Sequence, residues 1–271
     1  MKPAWSWQCE TGALQHASGF ALNGPITKDW ARGNATGAGV KVAVVDSGVD
    51  DGHPSLGRVD GAVALEYDPA EEDGYRIVEG PHEDLYGHGT ACAGIIRALA
   101  PDCEIYSVRV LGSKLTGKGF IFAGGVRWAI RNGMQVANLS LSTGRRDYYA
   151  PLHGIADEAY FANTMLVSAT NNVRTRSFRA EFSSVFSVAY HEGRNPFAVD
   201  YNPHGPVEFG AAGINLEVAW LEGGSIEATG NSFATPHISG LITLILSKHP
   251  GLTPFQVKTV LAAVATNAPR R

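Results

Sequence analysis

The chain has 271 residues, of which 44% are hydrophobic and 18% charged, and its formal net charge is −4. This composition excludes an intrinsically disordered chain, and the slight negative charge argues against a nucleic-acid partner, because duplex binding normally requires a basic face. Three cysteines do not make a disulfide framework in a chain of this length, and the 32 glycines indicate many tight turns.

The first ten residues contain no apolar segment typical of a secretory signal. The longest apolar run, residues 241–246, is far shorter than the roughly 20 residues that cross a bilayer. We therefore expect a cytoplasmic protein without a membrane partner. Residues 1–35 are expected to form an irregular lead-in, and residues 36–271 a single domain.

Short apolar or β-branched runs alternate along the chain with longer helical patterns. Strands are predicted over residues 40–45, 105–110, 136–141, 166–169 and 185–189, and helices over 90–98, 120–132, 152–162, 233–248 and 254–263. This alternation requires crossover connections, and it predicts an α/β fold with a doubly wound, mainly parallel sheet flanked by helices on both faces. The acidic segment 66–84 is predicted to be one long surface loop.

Three polar residues lie at predicted strand ends or helix starts, where open α/β sheets bind their ligands. Asp46 ends the first strand, His88 stands between two glycines at a helix start, and Ser232 opens a helix that is apolar almost all round. Each has an ordinary structural explanation, as a turn residue, a helix-terminal histidine or an N-cap. The alternative is a catalytic group at the edge of the sheet.

Together these segments resemble the signature regions of the subtilisin-like serine proteases (subtilases). The matching residues are Asp46-Ser47-Gly48, His88-Gly89-Thr90-x₃-Gly94 and Gly230-x-Ser232-x-Ala234-x-Pro236-His237. The resemblance implies a subtilisin-like peptidase domain over residues 36–271 that acts on peptide or protein substrates without a cofactor or a catalytic metal. It also implies that Ser232 attacks the peptide carbonyl, His88 transfers the proton and Asp46 orients His88.

By the same resemblance, an asparagine after the strand 166–169 stabilises the oxyanion. We assign this role to Asn171, with Asn172 as the alternative one position later. The expected walls of the substrate pocket are Ser140, Leu141 and Ser142 on one side and Ser168, Ala169 and Thr170 on the other. Thr170 and Ser142 replace glycines that relatives usually have, and Asn231 replaces a threonine before the nucleophile.

Several arginines follow the expected pocket walls, namely Arg145, Arg146, Arg174, Arg176 and Arg179. They form either a solvated basic surface or a site for an acidic substrate segment. The helical pattern after His88 runs on without room for the calcium-binding loop that secreted relatives often carry, so no calcium requirement is expected there. The acidic segment 66–84 is a weaker candidate for a cation site. Cys92 is either a small core residue or a position sensitive to thiol reagents.

The leading hypothesis is a cytoplasmic serine endopeptidase. Its role could be the maturation of a dedicated peptide precursor, and the domain could be part of a longer parent chain with further domains. Two alternatives stay open. A peptide ligase or macrocyclase would use the same acyl-enzyme but usually carries a bulky insertion, for which the chain between Asp46 and His88 leaves little room. A non-catalytic binding module with the subtilase fold would not require intact Asp46, His88, Asn171 and Ser232.

Overall fold

The computed structural model describes residues 24–141, 143–173, 176–177 and 180–268. Within these ranges the strands are β1 (Lys41–Asp46), β2 (Gly61–Tyr67), β3 (Tyr75–Glu79), β4 (Glu104–Arg109), β5 (Val136–Leu139), β6 (Met165–Ala169), β7 (Phe186–His191), β8 (Asp200–Tyr201), β9 (Phe209–Ala212), β10 (Leu216–Ala219) and β11 (Ser225–Ala228). The helices are α1 (Lys28–Ala31), α2 (His88–Leu99), α3 (Gly119–Arg131), α4 (Tyr149–Phe161), α5 (Asn231–Lys248) and α6 (Pro254–Ala263).

Nine strands form the main sheet, in the order β3-β2-β4-β1-β5-β6-β7-β9-β8. Neighbouring strands are parallel except for the pairs β2–β3 and β8–β9, and β10 and β11 form a separate antiparallel pair. The chain builds β2 and β4 on one side of β1 and then crosses to β5 on its other side. This reversal is the switch point where ligands of such sheets bind, and the last residue of β1 is Asp46.

The sheet is buried on both faces, as β1 illustrates. Val42 and Val44 belong to a core shared with α2, α5 and α6, whereas Ala43 and Val45 belong to a second core beneath α3 and α4. Adjacent residues of a strand point to opposite faces, so a strand covered on both sides must be apolar throughout. The expectation of a doubly wound, mainly parallel α/β fold is confirmed.

The predicted long loop over residues 66–84 is wrong. Most of this region is a β-hairpin in which β2 pairs antiparallel with β3, placing Glu66 opposite Arg76 and Tyr67 opposite Tyr75. β3 is an edge strand whose residues are mostly exposed, and Arg76 forms an ion pair with Glu66 at 2.7 Å. Edge strands carry charged residues on their open side, so the apolar pattern of a buried strand is missing from this sequence.

The part of the lead-in that the structure describes packs against the end of α5. Thr27 caps α1 by accepting a hydrogen bond from the Trp30 amide, and the Trp30 ring stacks on His249 with centroids 4.1 Å apart. Residues 1–23, with Trp5 and Trp7, lie outside the described residues, so the boundary at residue 35 stays a prediction. No helix among the described residues has the length and apolar character needed to span a membrane.

Candidate active site

Asp46 and His88 form a buried hydrogen-bonded pair at the carboxyl edge of the sheet. Both carboxylate oxygens of Asp46 lie 2.9 Å from His88 Nδ1, and Oδ1 also accepts a hydrogen bond from the Ser47 amide at 2.8 Å. A carboxylate can only accept hydrogen bonds, so Nδ1 carries the proton. Nε2 is thereby left as the basic nitrogen of His88.

Two glycines allow α2 to approach β1 this closely. Gly87 precedes His88 with a φ of +104°, a conformation that favours glycine. At Gly89 a Cβ atom would lie 1.9 Å from the carbonyl oxygen of Gly48 and 3.2 Å from Asp46 Cβ. A side chain at this position would push α2 away and separate His88 from Asp46.

Asp84 anchors the start of α2, a role that sequence reasoning missed. Its buried carboxylate accepts hydrogen bonds from Ser47 Oγ at 2.7 Å, from the amides of Tyr86, Gly87 and Thr90, and from Thr90 Oγ1 at 2.6 Å. The sequence analysis placed Asp84 in an acidic surface loop. Its position just before a helix start was the available signal, because carboxylates there bind free amides.

Ser232 lies in the first turn of α5 and faces the same cleft as His88. Its carbonyl oxygen accepts a hydrogen bond from Ser140 Oγ at 2.8 Å. Ser140 Oγ in turn accepts from Asn138 Nδ2 at 2.9 Å, and Asn138 Oδ1 accepts from Ser239 Oγ at 2.9 Å. This chain of buried polar groups fixes the start of α5 against β5.

The two candidate asparagines have different surroundings. Asn171 Nδ2 donates to the Arg176 carbonyl at 2.9 Å. Asn172 Oδ1 accepts from the Asn231 amide at 2.9 Å, and a Cβ atom on Gly230 would lie 3.3 Å from Ser232 Oγ and 3.5 Å from Asn172 Nδ2. Asn172 Nδ2 and Ser232 Oγ thus both lie near Gly230, and Asn171 lines the same cleft, so the assignment of the oxyanion donor to Asn171 stays a prediction.

The cleft has a volume of about 560 Å³ and contains most of the expected pocket residues. Ser140, Leu141, Ala169 and Thr170 line it, as do both asparagines. Ser168 does not, because its side chain is completely buried within the sheet. Ser142 lies outside the described residues.

Much of the opposite wall comes from residues that the sequence analysis did not single out. These are Leu111, Leu115, Thr116, Gly117, Lys118, Gly119, Phe122, Thr143, Tyr148 and Leu152. The Tyr148 ring occupies the space above Gly119, where a Cβ atom would lie 2.4 Å from it. Leu111, Leu115, Phe122 and Leu152 give this wall its apolar side chains.

Apart from His88 and the phenol of Tyr148, the ionisable groups on the cleft wall are the cations Lys118 and Arg145, as far as the described residues show. Lys118 Nζ lies 3.0 Å from the centroid of the Tyr67 ring, and Arg145 pairs with the exposed Asp147 at 3.4 Å. Arg176 forms an ion pair with Glu181 at 2.6 Å. Arg174 and Arg179 lie outside the described residues.

One cluster of donor side chains among the described residues is compact enough to hold a metal ion. It consists of Asp46, His88 and Cys92, whose ligand atoms lie within 4.8 Å of one another. Cys92 is a buried free thiol 3.3 Å from Ser140 Oγ and 4.0 Å from His88 Nδ1. His88 Nδ1 already donates its proton to Asp46, so we interpret these residues as a hydrogen-bonded cluster and not as a metal site. α2 runs without interruption beyond them.

Burial of the His88 imidazole opposes its protonation, but the neighbouring Asp46 carboxylate and Cys92 sulfur outweigh this effect and raise the pKa of His88 well above 6.5. The positive charge on His88 is thus stabilised by a partner that is itself buried. A base of this kind accepts a proton from a hydroxyl readily at mildly alkaline pH.

Comparison with known proteins agrees with this geometry. The model of the subtilase family, a group of S8 peptidases, matches residues 37–271. The chain belongs to the subtilase family. The family match and the similar subtilisins confirm the expectation of a subtilisin-like serine endopeptidase.

Subtilisin from Bacillus pumilus is 34% identical over 247 residues, which cover 85% of each chain. Subtilisin E from Bacillus subtilis is also 34% identical, and there the match spans 61% of the relative's length. A solved structure, a cold-adapted subtilisin-like serine proteinase, is 26% identical with a TM-score of 0.68 and covers 87% of each chain.

The raised pKa of His88 predicts the pH dependence of catalysis. His88 must be neutral to accept a proton, so we expect the acid limb of the kcat/KM profile to have its midpoint above pH 6.5. In Asp46→Asn the carboxylate charge is lost, so the limb should move to lower pH while kcat falls roughly 10⁴-fold.

Because the pKa is raised on folding, protonated His88 stabilises the fold below about pH 6.5, and that contribution disappears as the pH rises through the folded-state pKa.

The measurement is kcat/KM against pH for wild type, Asp46→Asn and His204→Gln, a substitution on an exposed loop between β8 and β9 that should leave the profile unchanged. A wild-type midpoint at or below pH 6.5, or no shift in Asp46→Asn, would contradict the assignment of the pair.

Proposed function

We propose that this subtilase hydrolyses peptide bonds through an acyl-enzyme formed on Ser232. The proposal rests on one observation, that the buried Asp46–His88 pair and Ser232 meet at the same cleft. His88 Nε2 takes the Ser232 proton as the hydroxyl attacks the substrate carbonyl, and it then gives the proton to the leaving amine. A water molecule activated by His88 releases the second product.

Asp46 keeps Nδ1 protonated and stabilises the positive charge that forms on His88. Ser232 lies at the N-terminus of an 18-residue helix, whose free amides and dipole favour the negative oxyanion. The Ser232 amide supplies one hydrogen bond to that oxygen. We assign the second to Asn172 Nδ2 in place of Asn171.

We also propose that the cleft prefers a substrate segment with acidic residues on the side of the acyl group. This proposal is supported by the two cations on the cleft wall, Lys118 and Arg145, although Arg145 also pairs with the exposed Asp147 beside the cleft. Maturation of a peptide precursor in the cytoplasm stays a prediction of the sequence, as does the presence of further domains.

Serine-reactive labelling tests the proposed chemistry. We expect a fluorophosphonate to add once to wild type and to Ser225→Ala, an exposed serine of β11, and not at all to Ser232→Ala, with or without a calcium chelator. Intact-mass spectrometry reads the adduct, and the same enzyme is then given linear peptides. Cleaved peptides support hydrolysis, cyclised peptides indicate ligation instead, and folded wild type that neither labels nor cleaves contradicts the proposal.

The two asparagines provide a matched pair of variants. Removing an oxyanion donor from a subtilisin costs on the order of 10²–10³ in kcat, so we expect a loss of that size in Asn172→Ala with little change in KM. Asn171→Ala removes a contact to the Arg176 carbonyl and is expected to lower kcat only a few-fold. If the larger loss occurs in Asn171→Ala, the original assignment from the sequence stands.

Charge reversal tests the acidic preference. Wild type should cleave peptides with Asp or Glu on the acyl side with several-fold higher kcat/KM than matched Lys peptides, because each exposed ion pair contributes roughly 0.2–1 kcal/mol. Lys118→Glu combined with Arg145→Glu should reverse this preference, and added salt should weaken it. Arg131→Glu, at the far end of α3, is the control. Equal rates for acidic and basic peptides would refute the preference.

A further inference from the structure

Asn231 is the residue directly before the proposed nucleophile, and its side chain is 6% exposed. It is the first residue of α5, and its side-chain hydrogen bonds go to residues outside this helix. Oδ1 accepts a hydrogen bond from the Tyr190 amide at 2.9 Å, which ties α5 to the end of β7. The backbone amide of Asn231 donates to Asn172 Oδ1 at 2.9 Å.

The other end of the Asn231 amide group contacts the segment that follows β6. Nδ2 donates to Thr170 Oγ1 at 3.1 Å, to the Thr170 carbonyl at 3.2 Å and to the Asn171 carbonyl at 3.0 Å. Asn231 therefore joins the end of β7, the segment 170–172 and the start of α5 in one network. Each of these contacts links residues that are at least 41 positions apart in the sequence.

Thr170 completes the network through its hydroxyl. Oγ1 donates to the Val188 carbonyl at 3.1 Å and accepts from Asn231 Nδ2, so the donor and acceptor capacities of the hydroxyl are both used. The structure places these two side chains in direct contact.

The network reaches the side chain of Asn172 through the backbone amide of Asn231. An oxyanion donor contributes to catalysis only if it is fixed before the charge develops. Asn172 is exposed in the cleft, and its recorded hydrogen bond is the one from the Asn231 amide to its Oδ1. Fixing Oδ1 restricts the rotation of the amide group, and Nδ2 lies 3.5 Å from the position that a Cβ atom on Gly230 would take.

We propose that Asn231, held by Thr170, is a positioning residue that sets the oxyanion donor Asn172 against Ser232. The inference rests on the proposed function, because it assumes that Ser232 forms an acyl-enzyme. Asn231 itself touches neither the substrate nor the reacting atoms. It acts through the position of Asn172 and through the segment 170–172.

A double-mutant cycle on kcat tests this role. Asn231→Ala is expected to lower kcat about 10–100-fold with KM changed less than twofold, since the donor is still present but no longer fixed. Thr170→Val, which removes one hydrogen bond, should lower kcat about three- to tenfold, and Thr170→Ser should recover most of that loss. In an Asn172→Ala background, neither substitution should lower kcat by more than about twofold, because the group that they position is gone.

A purely structural role gives a different result. If Asn231 and Thr170 only stabilise the fold, their effects on kcat add to that of Asn172→Ala, and the proposal is overturned. Thermal unfolding of every variant separates a loss of stability from a loss of positioning. Thr259→Val is the control, because it removes a hydroxyl that bonds only within α6 and should leave kcat unchanged. If Asn231→Ala does not fold, the same cycle is decided by Thr170→Val and Thr170→Ser.

Wild-type hydrolysis distinguishes this inference from the function on which it rests. If wild type cleaves peptides through Ser232 but Thr170→Val and Asn231→Ala keep their kcat, only the positioning role is wrong. If wild type neither labels nor cleaves, the proposed function fails and this inference fails with it.

Discussion

The active end of this fold depends on the burial of one carboxylate. Asp46 is completely buried at the end of a central parallel strand, and a buried charge is costly unless hydrogen-bond donors surround it. His88 Nδ1 and the Ser47 amide are those donors. The start of α2 must therefore lie directly against β1, which explains the glycines at positions 87 and 89 and the close contact with Gly48.

A second buried carboxylate holds this arrangement from outside. Asp84 binds the free amides at the start of α2 and the hydroxyl of Ser47, the residue whose amide contacts Asp46. The two carboxylates thus share Ser47 between them. Asp46 binds the His88 ring, and Asp84 binds the backbone amides on either side of His88 in the chain. A general base held in this way keeps its tautomer and orientation during proton transfer.

Ser232 is positioned by a different set of forces. α5 is buried along nearly its whole length, so apolar packing places the helix, and polar contacts then fix its first turn. Ser140, Asn138 and Ser239 hold the Ser232 carbonyl, while Asn231 connects the same turn to the segment after β6. Groups at the ends of several strands and helices converge on one cleft because a parallel sheet brings its carboxyl ends to one edge.

Local patterns predicted much of this structure. Apolar runs located five strands of the main sheet, 3.6-residue periodicity located five helices, and the glycine-flanked segments around Asp46, His88 and Ser232 located the groups that the structure brings to one edge. These features are encoded by neighbouring residues. The hairpin of β2 and β3 was missed because its outer strand is solvated and carries charges, and Asp84 was missed because its burial depends on Ser47, 37 residues earlier.

The sequence by itself determined the fold class through local apolar patterns, and the resemblance of three segments to the subtilase signature regions singled out Asp46, His88 and Ser232. Only the tertiary structure showed that Ser168 is buried within the sheet and that the Asn172 side chain accepts a hydrogen bond from the backbone amide of Asn231. Adjacent residues of a strand point to opposite faces, so Ala169 lines the cleft whereas Ser168, one position earlier, does not. The backbone amide of Asn231 donates this hydrogen bond from 59 positions after Asn172, so no local pattern in the sequence encodes it.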